Sequence, residues 1–93
     1  MSMPYHVEWS NAAIKELKRL DPQVNRLLRA WVRNNLEGCD NPRTIHGGKS
    51  LQSREGGWRY RVGTYRILVT IYDEKLLIRI IKAGHRHGVY GNL

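Results

Sequence analysis

Three arginines crowd the stretch WRYRVGTYR: Arg59, Arg61 and Arg66. A guanidinium is a planar, permanently charged fork that fits a phosphate bidentately. Further on the chain reads KAGHRHGVYGNL, which brings His85, Arg86, His87 and Tyr90 close together. Imidazole and phenol carry protons, whereas arginine stays charged and acts only through its field. Groups that hold phosphate therefore stand beside groups that move protons. His85 and His87 also have the spacing of a metal pair, but no third ligand follows at suitable spacing, so neither a metal nor another cofactor is expected.

For the arginines to act together, one surface must carry them. The segment 58–72 alternates in the manner of a β-hairpin, and Gly63 suits the first central position of a type II′ turn. With Gly63 and Thr64 as the turn, Val62 pairs with Tyr65, Arg61 with Arg66, Tyr60 with Ile67 and Arg59 with Leu68. Direct partners share a face. Trp58, Tyr60, Val62, Tyr65, Ile67, Val69 and Ile71 then form an apolar face, and Arg59, Arg61 and Arg66 gather on the other. A slip of one residue would scatter them.

The apolar face needs a cover, and the first half of the chain supplies it. YHVEW (5–9) reads as a short strand. Ser10 is placed to cap a helix over Asn11–Leu20, with Ala13, Ile14, Leu17 and Leu20 on one side. Asp21 and Pro22 end it and begin a second helix, in which Val24, Leu27, Leu28, Trp31, Val32 and Leu36 recur at helical spacing up to the turn residues EGCDNP. Residues 40–57 are polar and rich in Gly and Ser, and read as a long loop with room for a short turn or strand near Ile45. Lys49 and Arg54 lie there and extend the basic surface. Strands are expected at about 57–63, 65–72 and 75–84. The class is α+β: an N-terminal strand, a helical hairpin, then a three-stranded antiparallel meander, with the helices on one face of the sheet and the other face open.

A chain of 93 residues, 41% of them hydrophobic, makes a single domain with its own core. The lone Cys39 cannot form an internal bridge, no apolar run approaches the roughly 20 residues that span a bilayer, and the N-terminus lacks an apolar signal core. A reducing, cytoplasmic setting without a membrane is expected. The net charge is +8, unevenly spread: residues 1–48 hold seven Lys/Arg against five Asp/Glu, and residues 49–93 hold nine against three. Such a field attracts a polyanion: RNA, DNA, the ribosome surface or an acidic protein.

The stretch GWRYRVGTYRILVTIYDEKLLIRIIKAGHRHGVY resembles the core signature of the RelE/ParE toxin superfamily of toxin–antitoxin modules. Its parts are a basic strand, Y-R-I opening the next strand, and a closing G-H-R … V-Y; the element order fits over nearly the whole chain, as one RelE-like domain spanning residues 1–93. The RelE-like branch cleaves mRNA in the ribosomal A site, and the ParE-like branch poisons DNA gyrase and generally lacks the catalytic set. The resemblance implies a metal-independent endoribonuclease. Arg59 and Arg61 match the basic strand residues, Arg66 the arginine after the hairpin, Arg86 the arginine closing the last strand, and Tyr90 the tyrosine beyond it. The segment from Arg86 to Tyr90 is shorter than in the best-known member, so His85 or His87 is an alternative proton carrier. Lys49, Arg54, Arg59, Arg61 and Arg66 are the expected RNA-binding residues.

The resemblance further implies the ribosome and mRNA as partners, and a neutralising antitoxin that also binds DNA. A gyrase inhibitor, an inactive paralogue that keeps the antitoxin surface, and a plain nucleic-acid-binding module are the competing readings. The combination of Arg66, Arg86 and Tyr90 favours cleavage.

Overall fold

A computed structural model of the chain describes residues 3–85. Strand β1 (His6–Trp9) leads into helix α1 (Asn11–Arg19) and helix α2 (Pro22–Asn35). A 3₁₀ turn at Pro42–Thr44 precedes strands β2 (Gly48–Ser50), β3 (Gly57–Val62), β4 (Tyr65–Tyr72) and β5 (Leu77–His85). The five strands form one sheet in the order β1-β5-β4-β3-β2. The meander β2–β3–β4–β5 is antiparallel, and β1 joins its far edge parallel to β5. The α+β architecture expected from the sequence is therefore present, with one strand more than the periodicity announced.

Local chemistry sets the helix ends. Ser10 Oγ accepts from the Ala13 N–H at 3.1 Å, and Asp21 Oδ1 accepts from the Gln23 N–H at 2.8 Å, each filling a donor the first helical turn leaves open. Pro22 starts α2, where a missing N–H costs nothing. The sharp Leu20–Asp21 corner folds α2 back beside α1.

The core lies between the helices and one face of the sheet. Ala13 and Leu17 of α1, and Leu28 and Val32 of α2 with Leu36 just beyond, meet Tyr60, Val62, Ile67, Val69, Ile71, Ile78, Ile80 and Ala83. Every residue assigned to the apolar face of the hairpin belongs to this cluster or packs on it. Tyr60 is fully buried, and its hydroxyl donates to the Pro42 carbonyl at 2.6 Å, which fastens the loop after α2 to the sheet. Burial pushes the Tyr60 pKa upward and keeps the phenol neutral. Two apolar residues from the helical stripes point outward instead: Ile14 and Leu27 are exposed. Each lies next to a residue that takes the inward position, Ala13 and Leu28 respectively, so it falls about 100° away around the helix.

Candidate nucleic-acid interface

The hairpin register is the one the alternation dictates. Val62 pairs with Tyr65, Arg61 with Arg66, Tyr60 with Ile67 and Arg59 with Leu68. Gly63 has φ of +62°, the left-handed region that a type II′ turn needs and that only glycine enters without strain. Arg59, Arg61 and Arg66 consequently share the face away from the helices.

Strand β2 adds to that face. Lys49 is the direct partner of Arg59, so a basic row crosses the sheet edge. β2 forms because Gly48 has no side chain: a Cβ there would strike the Trp58 indole nitrogen, and would come within 3.0 Å of the Tyr60 ring. Glycine lets the edge strand lie flat against these two rings.

Across β4 and β5 the partner of Arg66 is Gly84, and that of Leu68 is Lys82. Gly84 is buried and adds no side chain beside the arginine. Leu68 is fully buried although it lies outside the main core cluster, and forms an apolar floor between the basic positions. A bulge at Leu68/Val69 separates this end of β5 from the part that carries β1. Lys82 does not join the free cations, because its Nζ lies 4.0 Å from Glu16 Oε2 of α1.

The arginines are held by carbonyls, not carboxylates. Arg66 is 8% exposed, and its Nη1 donates to the Tyr65 carbonyl at 3.0 Å and the Gly63 carbonyl at 3.3 Å. Arg59 Nη1 donates to the Gly47 carbonyl at 2.9 Å. Among the described residues the ion pairs are His6–Glu37, Arg43–Asp73, Arg79–Glu8 and Lys82–Glu16, so none of Lys49, Arg59, Arg61 and Arg66 meets an acid. Carbonyl dipoles orient a guanidinium without cancelling its charge. A mostly buried, uncompensated cation is costly, and an anion that enters beside it removes that cost.

The structure gathers some of the expected site residues and separates others. Lys49, Arg59, Arg61 and Arg66 come together. His85 pairs with Tyr65 and meets its ring edge-on at 5.8 Å between centroids. Tyr65 faces the core side, so the register sets His85 on the opposite side of the sheet from Arg66. Arg54 sits at the other end of the hairpin, where its carbonyl accepts from the Gly57 N–H. Gly57 and Arg61 are four positions apart along β3, about 13 Å. Arg86, His87 and Tyr90 lie outside the described residues. Among the described residues, no three His, Cys, Asp or Glu side chains are grouped to hold a metal ion, and no helix is long and apolar enough to cross a membrane.

At the far end of the sheet a second charged cluster is fully satisfied. Arg43 donates to both oxygens of Asp73, at 2.9 and 3.1 Å, and the Tyr5 hydroxyl donates to Asp73 Oδ1 at 2.6 Å. The Arg43 hydrogen bond, then that of Tyr5, holds the Asp73 pKa below its ordinary value. The same carboxylate raises the Tyr5 pKa. This cluster ties the chain before β1 to the loop after α2 and to the β4–β5 turn.

Known proteins resemble this chain in sequence and fold. Residues 7–90 match the family described as the ParE toxin of the type II toxin–antitoxin system parDE. The toxin RelG of Mycobacterium tuberculosis is 29% identical over 89 residues, which cover 95% of this chain and 98% of that protein. A chain of the toxin–antitoxin complex RelBE2 of M. tuberculosis superposes with a TM-score of 0.74 at 30% identity, covering 90% of this chain and 100% of its own. A chain of the archaeal RelE–RelB complex from Pyrococcus horikoshii gives a TM-score of 0.71 at 26% identity, over 90% of this chain and 97% of that one.

Proposed function

The chain belongs to the RelE/ParE superfamily of toxins from type II toxin–antitoxin systems, and from that premise we propose that it is a metal-independent endoribonuclease that cuts mRNA in the ribosomal A site. The observation that carries this reading is the cluster of Arg59, Arg61 and Arg66, which no carboxylate among the described residues neutralises and in which Arg61 and Arg66 are direct partners. A gyrase inhibitor has no need of such a phosphate cradle.

In the proposed reaction the ribose 2′-oxygen attacks the adjacent phosphorus. The 2′-hydroxyl proton passes to a base, the O2′–P bond forms, and the P–O5′ bond breaks with its electron pair on O5′. A proton delivered to O5′ completes the step and leaves a cyclic phosphate and a free 5′-hydroxyl. Arg66 stabilises the extra negative charge of the phosphorane, held ready by its carbonyl contacts. Arg59 and Arg61, with Lys49, hold the backbone on either side. The base is assigned to Tyr90 or His87, because the register sets His85 on the side of Tyr65. A cation placed beside a phenol favours its phenolate form. Arg86 supports the leaving oxygen electrostatically. Groups this weak gain most from a substrate already held in reactive geometry, which is the role given to the ribosome.

A nuclease of this kind needs restraint, and a cognate antitoxin is the proposed partner. The relatives above were captured in complexes named for toxin and antitoxin, or RelE and RelB. On this chain, exposed Ile14 borders a groove with Trp9 and Leu17, rimmed by Lys18 and Arg29. An acidic amphipathic segment matches that surface in both apolarity and charge.

The match to a family described by its ParE member supports a second reading, gyrase inhibition. One experiment separates the two. Purified toxin is added in parallel to a translation reaction and to a gyrase supercoiling reaction. Truncated mRNA with normal supercoiling supports the nuclease; intact mRNA with blocked supercoiling supports the gyrase poison.

A further inference from the structure

Strand β5 brings a further cation to the arginine face. The direct partners Lys49, Arg59, Leu68 and Lys82 form one row across β2, β3, β4 and β5. The next row runs Arg61, Arg66 and Gly84. Lys82 and Arg66 are therefore diagonal neighbours, about 7–8 Å apart and within reach of long side chains. Arg59 and Lys82 flank the buried Leu68 at two strand spacings, about 9–10 Å. The register changes just there: Leu68 faces Lys82 and Val69 faces Ile80, so Ile81 is an extra residue in β5. A bulge of this kind re-aims the side chain beside it. Arg79 also lies on this face, opposite Thr70, but farther from Arg66 and 3.7 Å from Glu8.

Helix α1 holds Lys82 back. β1 pairs with β5 only as far as Ile80, and the Ser10 N–H donates to the Ile80 carbonyl as the chain turns into α1. α1 packs against β5 and brings Glu16 Oε2 to 4.0 Å from Lys82 Nζ. That separation is too long for a hydrogen bond, so charge holds the ammonium and no directed contact fastens it. The Lys82 and Glu16 side chains are 22% and 28% exposed, so solvent screens their attraction less than at an open surface. Lys82 is the one ion-pair partner of Glu16 among the described residues, and Glu16 Oε1 is buried without a hydrogen-bond partner. A carboxylate so poorly satisfied depends on the lysine for compensation. It competes for Lys82 with any anion that settles over Leu68.

We propose that Lys82 is a phosphate-binding residue of the arginine face and that Glu16 restrains it. RNA draws the ammonium away from Glu16 to a phosphate above Leu68, between Arg59 and Arg66. Glu16 then lowers RNA affinity without touching RNA, through the lysine it holds. The proposal rests on the reading of the arginine face as the RNA face.

The test is binding of a labelled single-stranded RNA, followed by fluorescence anisotropy across a range of salt. The full chain is compared with Glu16→Gln, Lys82→Met, Lys82→Arg, the double variant Glu16→Gln/Lys82→Met, and Arg61→Ala. Glu16→Gln binds about two- to fivefold more tightly, the worth of one ion pair. Lys82→Met keeps the apolar stem, loses the charge, and shallows the slope of log K against log salt by about 0.7; Lys82→Arg restores the slope. In the Lys82→Met background the gain from Glu16→Gln disappears. Where Lys82→Met alone does not fold, the double variant, which leaves no unpaired carboxylate, is compared with Glu16→Gln and shows the same change of slope. A full gain from Glu16→Gln in the Lys82→Met background makes Glu16 a distant field and overturns the restraint. A slope unmoved by Lys82→Met but shallowed by Arg61→Ala overturns Lys82 as a phosphate ligand and leaves the RNA reading standing. Slopes unmoved by either variant overturn the proposal and its premise together.

Discussion

Arg61 and Arg66 stand directly opposite each other across the β3–β4 hairpin, on the face away from the core, and among the described residues no carboxylate pairs with either. Like charges in that relation repel by a few tenths to about 1 kcal/mol when exposed. Arg61→Ala therefore leaves stability unchanged or raises it by up to about 1 kcal/mol, while mRNA cleavage falls about 10²-fold. Urea unfolding alongside a cleavage assay checks both halves. Loss of stability together with loss of activity would mark Arg61 as a structural residue.

Salt dependence reads the same face. Each phosphate neutralised on a single strand contributes about −0.7 to the slope of log K against log salt, so three arginines give about −2. Arg59→Ala or Arg61→Ala should each shallow that slope by about 0.7. Fluorescence anisotropy with a labelled single-stranded RNA measures it. A slope near zero would remove the phosphate contacts from the account.

The two glycines of the site fail in different ways. Gly63→Ala forces an L side chain into φ of +62°, although nothing lies within 4 Å of the added carbon. It costs about 1–2 kcal/mol of backbone strain and leaves β2 in place. Gly48→Ala meets the Trp58 and Tyr60 rings. It costs about 1–3 kcal/mol through overpacking and lifts Lys49 away from Arg59, so RNA affinity falls as well. Denaturant unfolding and RNA titration of both variants separate the cases.

These glycines also show what the sequence disclosed. Gly63 was legible because a tight hairpin between alternating strands requires a left-handed residue, and the arginine register followed from it. β2 was legible only as room for a short turn or strand near Ile45: Gly48, Lys49 and Ser50 include no β-branched or aromatic residue, and the strand lies close to the Trp58 and Tyr60 rings where a glycine leaves space for them. The parallel partnership of β1 with β5 joins residues more than seventy positions apart, which no local pattern encodes. Sequence proximity puts His85 with the arginines, whereas strand alternation sets Gly84, not His85, beside Arg66. Arg54 was grouped with them by charge alone, and the length of β3 separates it. The uncancelled charge of the site was legible too, since acids are scarce after residue 48.

The Tyr5–Asp73–Arg43 cluster predicts two pH limits. Asp73 has a folded pKa below its ordinary 3.8, so its stabilisation is complete above that value and is lost as pH falls through the folded pKa. Tyr5 has a folded pKa above its ordinary 10.0, so its stabilisation is complete below 10.0 and is lost as pH rises through the folded pKa. Asp73→Asn should flatten the acid limb and, at neutral pH, cost about 1 kcal/mol or less, since the Asp73 and Arg43 side chains are well exposed. Thermal unfolding from acid to alkaline pH checks this. An acid limb of the same steepness in the variant would assign the acid sensitivity elsewhere.

The most direct test of the arginine face as a catalytic cradle is primer-extension mapping of mRNA on programmed ribosomes, with wild-type protein and Arg66→Ala. Wild type should cut at codons positioned in the A site, and Arg66→Ala, if folded, should cut about 10²–10³-fold more slowly. Undiminished cutting by a folded Arg66→Ala protein, or no cutting by folded wild type, would contradict the account.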